Sequence, residues 1–267
     1  MIEFILTHEQ TLRLGVFLGF LLLLSCLEWV FPKRVRVQNR LLRWGNHALI
    51  SFVNTFVLYL LGPLIAVSVA LWASAQGVGL FHKLNLPVWA ELILTLILFD
   101  LAIYAQHVAT HYVKPLWALH KVHHTDRDLD ASSALRFHPV EIMLSMLYKC
   151  VMVVLIGPAV FAVILYEILL NCFAIFNHAN LSVPRTLDRV LRVFIVTPDM
   201  HRVHHSVIET ETNSNFGNFL SIWDRLFKTY TAEPRAGHEG MTLGLTEYQH
   251  DQTAHPLWSF ALPFRRR

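Results

Sequence analysis

The chain has 267 residues, of which 54% are hydrophobic and only 15% charged, at a mean hydropathy of +0.44. Soluble chains carry about a quarter charged residues, so this composition excludes a soluble globule, a disordered chain and a coiled coil and points to a membrane protein. The net charge of +3 arises from local Lys and Arg clusters and is no nucleic-acid footprint, while Cys26, Cys150 and Cys172 lie in apolar stretches and build no disulfide framework.

The first apolar stretch, Leu12 to Val30, stops before Pro32 and suits a spanning helix of about 20 residues. Met1 to Gln10 has no Lys or Arg and two Glu, so a cleaved secretory signal is not expected. A second span is expected from about His47 to Ala75, kinked at Gly62 and Pro63. The third, Val88 to about Tyr112, is some 37 Å of helix, longer than a hydrocarbon core of about 30 Å, so one end must protrude. Pro139 to Phe176 is too long for one helix and is divided at Gly157-Pro158, which predicts a helical hairpin that either spans or re-enters.

Lys33, Arg34, Arg36, Arg40 and Arg43 crowd the loop after the first span, whereas the next loop offers only Lys83. By the positive-inside rule the first loop is cytoplasmic, and alternation places Lys114 to Arg136, and Asn177 to the terminal Arg265-Arg266-Arg267, on the same side. The expected fold is therefore an all-α integral membrane bundle of about three spans plus a helical hairpin, with a cytoplasmic histidine-rich cap. Residues 1–87 are expected to form the N-terminal spans, 88–232 a second unit that carries the rest of the bundle, and 233–267 a cytoplasmic tail. No internal repeat or flexible linker is found.

Ten of the 16 histidines fall between His107 and His205, spaced as His107-x3-His111, His120-x2-His123-His124, single His138 and His178, and His201-x2-His204-His205. Residues at i, i+3 and i+4 share one helix face, so each group is expected to aim its imidazoles at one point, a metal-ligand geometry. Thr197 as N-cap and Pro198 at the first helical position start a short helix under the last group. Lone histidines are more often surface or satisfied core residues, and His8, His47, His82, His238, His250 and His255 are read so. His138, in "RFHP", is balanced between that reading and a hydrogen-bond partner of a ligand, and His178, in "FNHAN", is read as a ligand. Eight or nine imidazoles exceed what one ion holds, so two metal ions follow, of a kind that imidazole alone does not name. Asp100, Asp126, Asp130, Glu141 and Asp199 are candidates to fix histidine tautomers, with a solvated surface as the alternative for Asp126 and Asp130, and Tyr104 is read as packing.

With these residues in hand, the stretch from about Asp100 to Tyr230 resembles the membrane fatty acid hydroxylase and sterol desaturase superfamily, and its short loops are similar to the bacterial sterol-desaturase branch. The likeness lies in "LWALHKVHHTD", "ALRFHPVE", "FNHAN", "TPDMHRVHHS" and "NSNFGNFLSIWDRLFKTY". Many members have Arg directly after the first histidine, where this chain has Val108. The resemblance implies a non-haem di-iron oxygenase that uses O2 and two electrons to hydroxylate or desaturate a membrane lipid. Its implied iron ligands, which are also the catalytic set, are His107, His111, His120, His123, His124, His201, His204 and His205, with His178 a ninth metal ligand. The chain shows no dinucleotide fingerprint and no haem-attachment motif, so an external donor of ferredoxin or cytochrome b5 type is implied, docking on Arg185, Arg189, Arg192 and Arg202 or leaving those cations to lipid phosphates. The last motif reads as a turn and an amphipathic segment covering the site. The rivals are a zinc-dependent membrane hydrolase or isomerase and a metal transporter. The transporter requires polar residues through the bilayer depth, whereas the histidine groups keep to one end. The implied location is a multi-pass membrane protein with its site on the cytoplasmic face, in the inner membrane of a bacterium or the endoplasmic reticulum of a eukaryote.

Overall fold

The computed structural model describes residues 2–84 and 86–265, so Arg266 and Arg267 of the terminal run lie outside the described residues. The helices that build it are α1 (Glu9–Val30), α2 (Arg40–Leu60), α3 (Ala66–Gln76), α4 (Val88–Tyr112), α5 (Lys114–His124), α6 (Pro139–Ile156), α7 (Val160–His178), α8 (Arg185–Leu191), α9 (Pro198–His204) and α10 (Ile222–Leu226). Among the described residues there is no strand, only isolated bridges that tie loops together. Four helices are long and apolar enough to cross a membrane, namely α1, α4, α6 and α7, and the protein is a multi-pass membrane protein. Large apolar side chains such as Leu22 and Trp29 on α1, Phe52 and Tyr59 on α2, Trp89 on α4 and Leu155 on α6 face outward, as lipid-facing surfaces do.

The hairpin turns where Gly157-Pro158 predicts. Gly157 adopts a left-handed φ of 66°, and Gly79 packs against it so closely that a Cβ there would lie 2.3 Å from the Gly157 Cα. Beside that turn, Glu91 at the start of α4 accepts the Ala159 N–H at 2.6 Å and so caps α7.

The second stretch departs from expectation. Two helices, α2 and α3, replace one kinked span, because Gly62, at a φ of 57°, and Pro63 end the first helix outright. α2 also begins seven residues before the expected His47, capped by the Asn39 side chain on Leu42 N–H. Its inward face is polar: Arg43, Asn46, His47 and Asn54 are buried there. That inverted amphipathicity is why hydropathy alone misplaces its start.

The histidines from His107 to His205 collect at the opposite end from Gly157, where residues 31–39, 113–138 and 179–265 fold over the helix ends, whereas His82 packs beside Gly157 itself. Charge knits this cap together. The fully buried Arg43 guanidinium reaches Asp126 at 2.7 Å and Asp130 at 2.8 Å, so neither carboxylate is a solvated surface group. Burial alone would raise the Asp126 carboxyl, but Arg43 first and then His47 outweigh it and hold the group well below the usual carboxylate range. Glu28, near the end of α1, accepts the Ala131 and Asn180 N–H groups at 2.6 and 2.7 Å and fastens two cap loops to the bundle. Lys33 and Arg34 are likewise engaged inside the cap, with Asp199 and with the Met241 carbonyl.

Candidate metal centre

The structure gathers nine imidazoles into two groups, His107, His111, His120, His124 and His204 in one, and His123, His178, His201 and His205 in the other. Within each, one ligand atom per residue lies within 4.8 Å of all the others. The groups adjoin: the His124 and His205 rings stack at 4.5 Å. These are the nine residues singled out above, but the boxes are not used as expected. Each His-x2-His-His run is split between the groups: the i, i+4 pairs His120/His124 and His201/His205 stay together, while His123 and His204 cross to the other side. The reason is helical geometry, since at 3.6 residues per turn the i+4 position lies roughly 40° from i and the i+3 position roughly 60° away on the opposite side.

The first group is aimed by partners on Nδ1. His107 faces the Phe216 carbonyl at 2.7 Å, His111 the Asn213 Oδ1 at 3.1 Å, His120 the Glu141 carboxylate at 2.6 Å and His204 the Ser214 carbonyl at 2.7 Å. An oxygen acceptor there fixes the proton on Nδ1, which donates to it, and leaves Nε2 as a bare lone pair. Those Nε2 atoms, and both nitrogens of His124, are buried without a hydrogen-bond partner among the described residues. In the second group His178 donates from Nδ1 to the Ala174 carbonyl at 2.6 Å, so its Nε2 is a lone pair as well. Yet that atom lies 3.0 Å from His123 Nε2 and 3.1 Å from His201 Nε2, with His205 3.3 Å beyond His201. Imidazoles bound to one ion at about 2.0–2.1 Å have nitrogens roughly 2.9–3.4 Å apart, so both the orphaned lone pairs and their spacing fit a metal in each group.

Burial first, and then the neighbouring imidazoles, push His123, His124, His201, His204 and His205 well below 6.5. They are neutral at pH 7, the form a metal needs.

Of the acidic candidates only Glu141 touches a histidine of the groups. Asp100 instead accepts from the Phe219 and Leu220 N–H groups and from Trp223 Nε1, and fixes the loop that carries Phe216. Asp199 pairs with Arg202 and Lys33, and Asp126 and Asp130 belong to Arg43. His138 joins neither group: its Nδ1 caps α6 by accepting the Val140 N–H at 3.2 Å, and its Nε2 faces the Phe260 carbonyl, so it is not a partner of a metal-binding histidine. Tyr104 packs on Phe227 and Phe216, as expected. Arg192 and Arg202 are buried in pairs with Asp188 and Asp199, so only Arg185 and Arg189 of the expected docking cations are exposed.

Sequence reasoning missed Asn213, Ser214 and Phe216 as the anchors of three histidines. Their signal was the polar run "NSNFGN", in which Asn215 takes a left-handed φ of 53° and Asp224 accepts the Phe216 and Gly217 N–H groups at 2.8 Å.

A cavity of about 280 Å³ opens from the histidines into the bundle, with His107, His120, His123, His178 and His201 at one end. An apolar cleft of about 440 Å³ between α4 and α6, lined by Ala105, Ala109, Leu144 and Tyr148, shares Gln106, Thr110, Glu141 and Ser145 with it.

The family model for fatty acid hydroxylases matches residues 92–229, more than half of the chain and every histidine of both groups. The chain belongs to the fatty acid hydroxylase family. Its similar relatives include the alkylglycerol monooxygenases of Homo sapiens, 32% identical over 60% of this chain, and of Danio rerio, 32% identical over 68%. The ornithine lipid hydroxylase OlsE of Rhizobium tropici is 30% identical over 56%. These matches cover 32%, 37% and 44% of the relatives, so this fatty acid hydroxylase family chain spans less than half the length of the curated proteins it matches. No solved structure matches it.

Proposed function

We propose that this protein is an O2-dependent di-iron oxidoreductase that hydroxylates a C–H position of a membrane lipid with electrons from an external donor. The observation that carries the reading is two adjoining groups of buried histidines, each with ligand atoms close enough to converge on one point, at the mouth of a cavity in an apolar bundle. All nine histidines of the two groups serve as ligands, within a catalytic unit of residues 88–232. The relatives' names, a monooxygenase and a lipid hydroxylase, favour hydroxylation over desaturation and a lipid over other substrates.

When bound, a pair of redox-active irons supplies the activation of O2 needed to attack an inert C–H bond. In the overall reaction one oxygen atom enters the C–H bond and the other leaves as water, at the cost of two electrons and two protons. The chain's own residues do the rest. The carbonyls of Phe216 and Ser214, Asn213 and Glu141 hold His107, His204, His111 and His120 in one tautomer and orientation, so the ligand set is formed before substrate arrives. The apolar walls of the α4–α6 cleft exclude water and admit an alkyl chain from the bilayer side. Electrons come from a ferredoxin or cytochrome b5 type protein at the cytoplasmic face, the side assigned by the Lys and Arg cluster, with Arg185 and Arg189 as exposed cations for docking.

The test is to express the wild type and His204→Ala in one host and to compare lipid extracts from aerobic and anaerobic cultures. A lipid heavier by one oxygen, present only with the wild type and air, is expected. A product that forms without O2, or an aerobic metal-loaded wild type with no oxygenated lipid, overturns the reading in favour of a zinc hydrolase or isomerase.

A further inference from the structure

Away from the histidines, three ionisable side chains meet inside the bundle. The Glu167 carboxylate on α7 is buried, lies 2.6 Å from Lys149 Nζ of α6 and 3.0 Å from Arg13 of α1, and Arg13 also pairs with Glu9 one turn back. Ionisable groups within spans are costly and mark substrate or ion paths. Stability does not call for this one, since a buried ion network adds little over apolar packing of the same shape.

The network lines the cavity that opens on the histidines: Lys149, Glu167 and Arg13 stand at one end of it and His120, His123 and His178 at the other. Lys149 follows Glu141, the partner of His120, by eight residues on α6, about 12 Å of helix. Because Cα–Cβ bonds tilt toward the helix N-terminus, the Lys149 chain leans back toward the histidines.

Bonding capacity shows what the cavity still offers. Both Glu167 oxygens are taken by cations, whereas an ammonium has three donors and Lys149 spends one on Glu167 among the described residues. Two remain for a ligand. A plain hydrocarbon would leave them unmet, while an ether, ester or hydroxyl oxygen would accept from them. The cavity of about 280 Å³ takes a polar group, and the adjoining apolar cleft of about 440 Å³ takes a length of chain.

We propose that Lys149, steadied by Glu167 and Arg13, binds an acceptor oxygen in the polar part of the lipid and so sets which carbon lies against the histidine groups; the substrate class is an oxygen-bearing lipid and not a bare alkane. This rests on the reading of the site as a lipid oxygenase.

The test uses the full chain, metal-loaded and in detergent, and measures equilibrium retention of two radiolabelled probes, 1-O-hexadecylglycerol and hexadecane. The wild type is expected to hold hexadecylglycerol about tenfold more tightly than hexadecane, as one charge-assisted hydrogen bond allows, and Lys149→Met is expected to abolish that preference. Because Lys149→Met strips Glu167 of a partner, the paired variant Lys149→Met with Glu167→Gln removes both charges together, and melting temperature and metal content confirm that either is folded. Equal binding of the two probes by the wild type, or an unchanged preference in the folded variants, overturns the proposal. Binding needs neither O2 nor a reductant, so a preference without oxygenated product refutes the oxygenase alone, and product without a preference refutes the role of Lys149 alone.

Discussion

The two histidine groups differ in how their rings are held. Four of the five rings in the group of His107 have Nδ1 fixed by a carbonyl, an amide oxygen or a carboxylate, whereas in the group of His123 only His178 is so fixed. Among the described residues the Nδ1 atoms of His123, His201 and His205 have no hydrogen-bond partner, and His123 stacks on Phe137 at 4.2 Å. Hydrogen-bonded partners orient a ligand and raise its basicity, so under the proposed reading the first group would hold an ion more firmly than the second.

The largest effects should come from the ligands themselves. His204→Ala removes a lone pair from the first group and His201→Ala one from the second, and each is expected to abolish turnover while removing metal from its own group first, as read by metal analysis of the purified variants. Next in size is stability of the cap. Arg43→Met takes the nearest cation from the buried Asp126 and Asp130, leaving Asp130 only the more distant Arg36 at 3.7 Å, and is expected to cost about 3–5 kcal/mol, seen as a lower melting temperature. A smaller loss, about 10–100-fold in metal affinity of the first group, is expected for Glu141→Gln, with the second group little changed. If both groups weaken equally, the contrast drawn between them is wrong. The sharpest test of that contrast is limiting chelator, which should empty the group of His123 before that of His107.

Acid should act in one direction. His123, His124, His201, His204 and His205 sit well below 6.5 in the folded chain, so on acidification the unfolded, metal-free chain takes up protons first. Metal retention and stability are expected to fall as pH drops below about 6.5 and to stay flat between about 7 and 8, a profile that equilibrium dialysis across pH measures. Retention that rises on acidification would contradict the assignment of these rings as neutral ligands.

Much of this was legible in the residues. The bounds of α4, the Gly157-Pro158 hairpin, the capped helix at Pro198 and the eight histidines of the three spaced groups follow from periodicity, turn residues and spacing, which act locally, while the lone His178 follows from its place at the end of the hairpin. What was not legible depends on contacts across the chain. The splitting of each box needs the partner helices in place, since spacing alone permits convergence on one point. The buried Arg43 with Asp126 and Asp130 has the local signature of a solvated, orienting charge cluster, and only packing reveals it as interior. Carbonyl anchors such as Phe216 carry no side-chain signal at all. The inward polar face of α2 lowered the hydropathy that sets span limits, so its start was placed late.

The most direct measurement of the central claim is iron and zinc per chain in protein purified anaerobically in detergent, for the wild type and for His204→Ala and His201→Ala. The account predicts close to two irons in the wild type, with each substitution lowering the count. One zinc per chain, or a metal content indifferent to both substitutions, would contradict it.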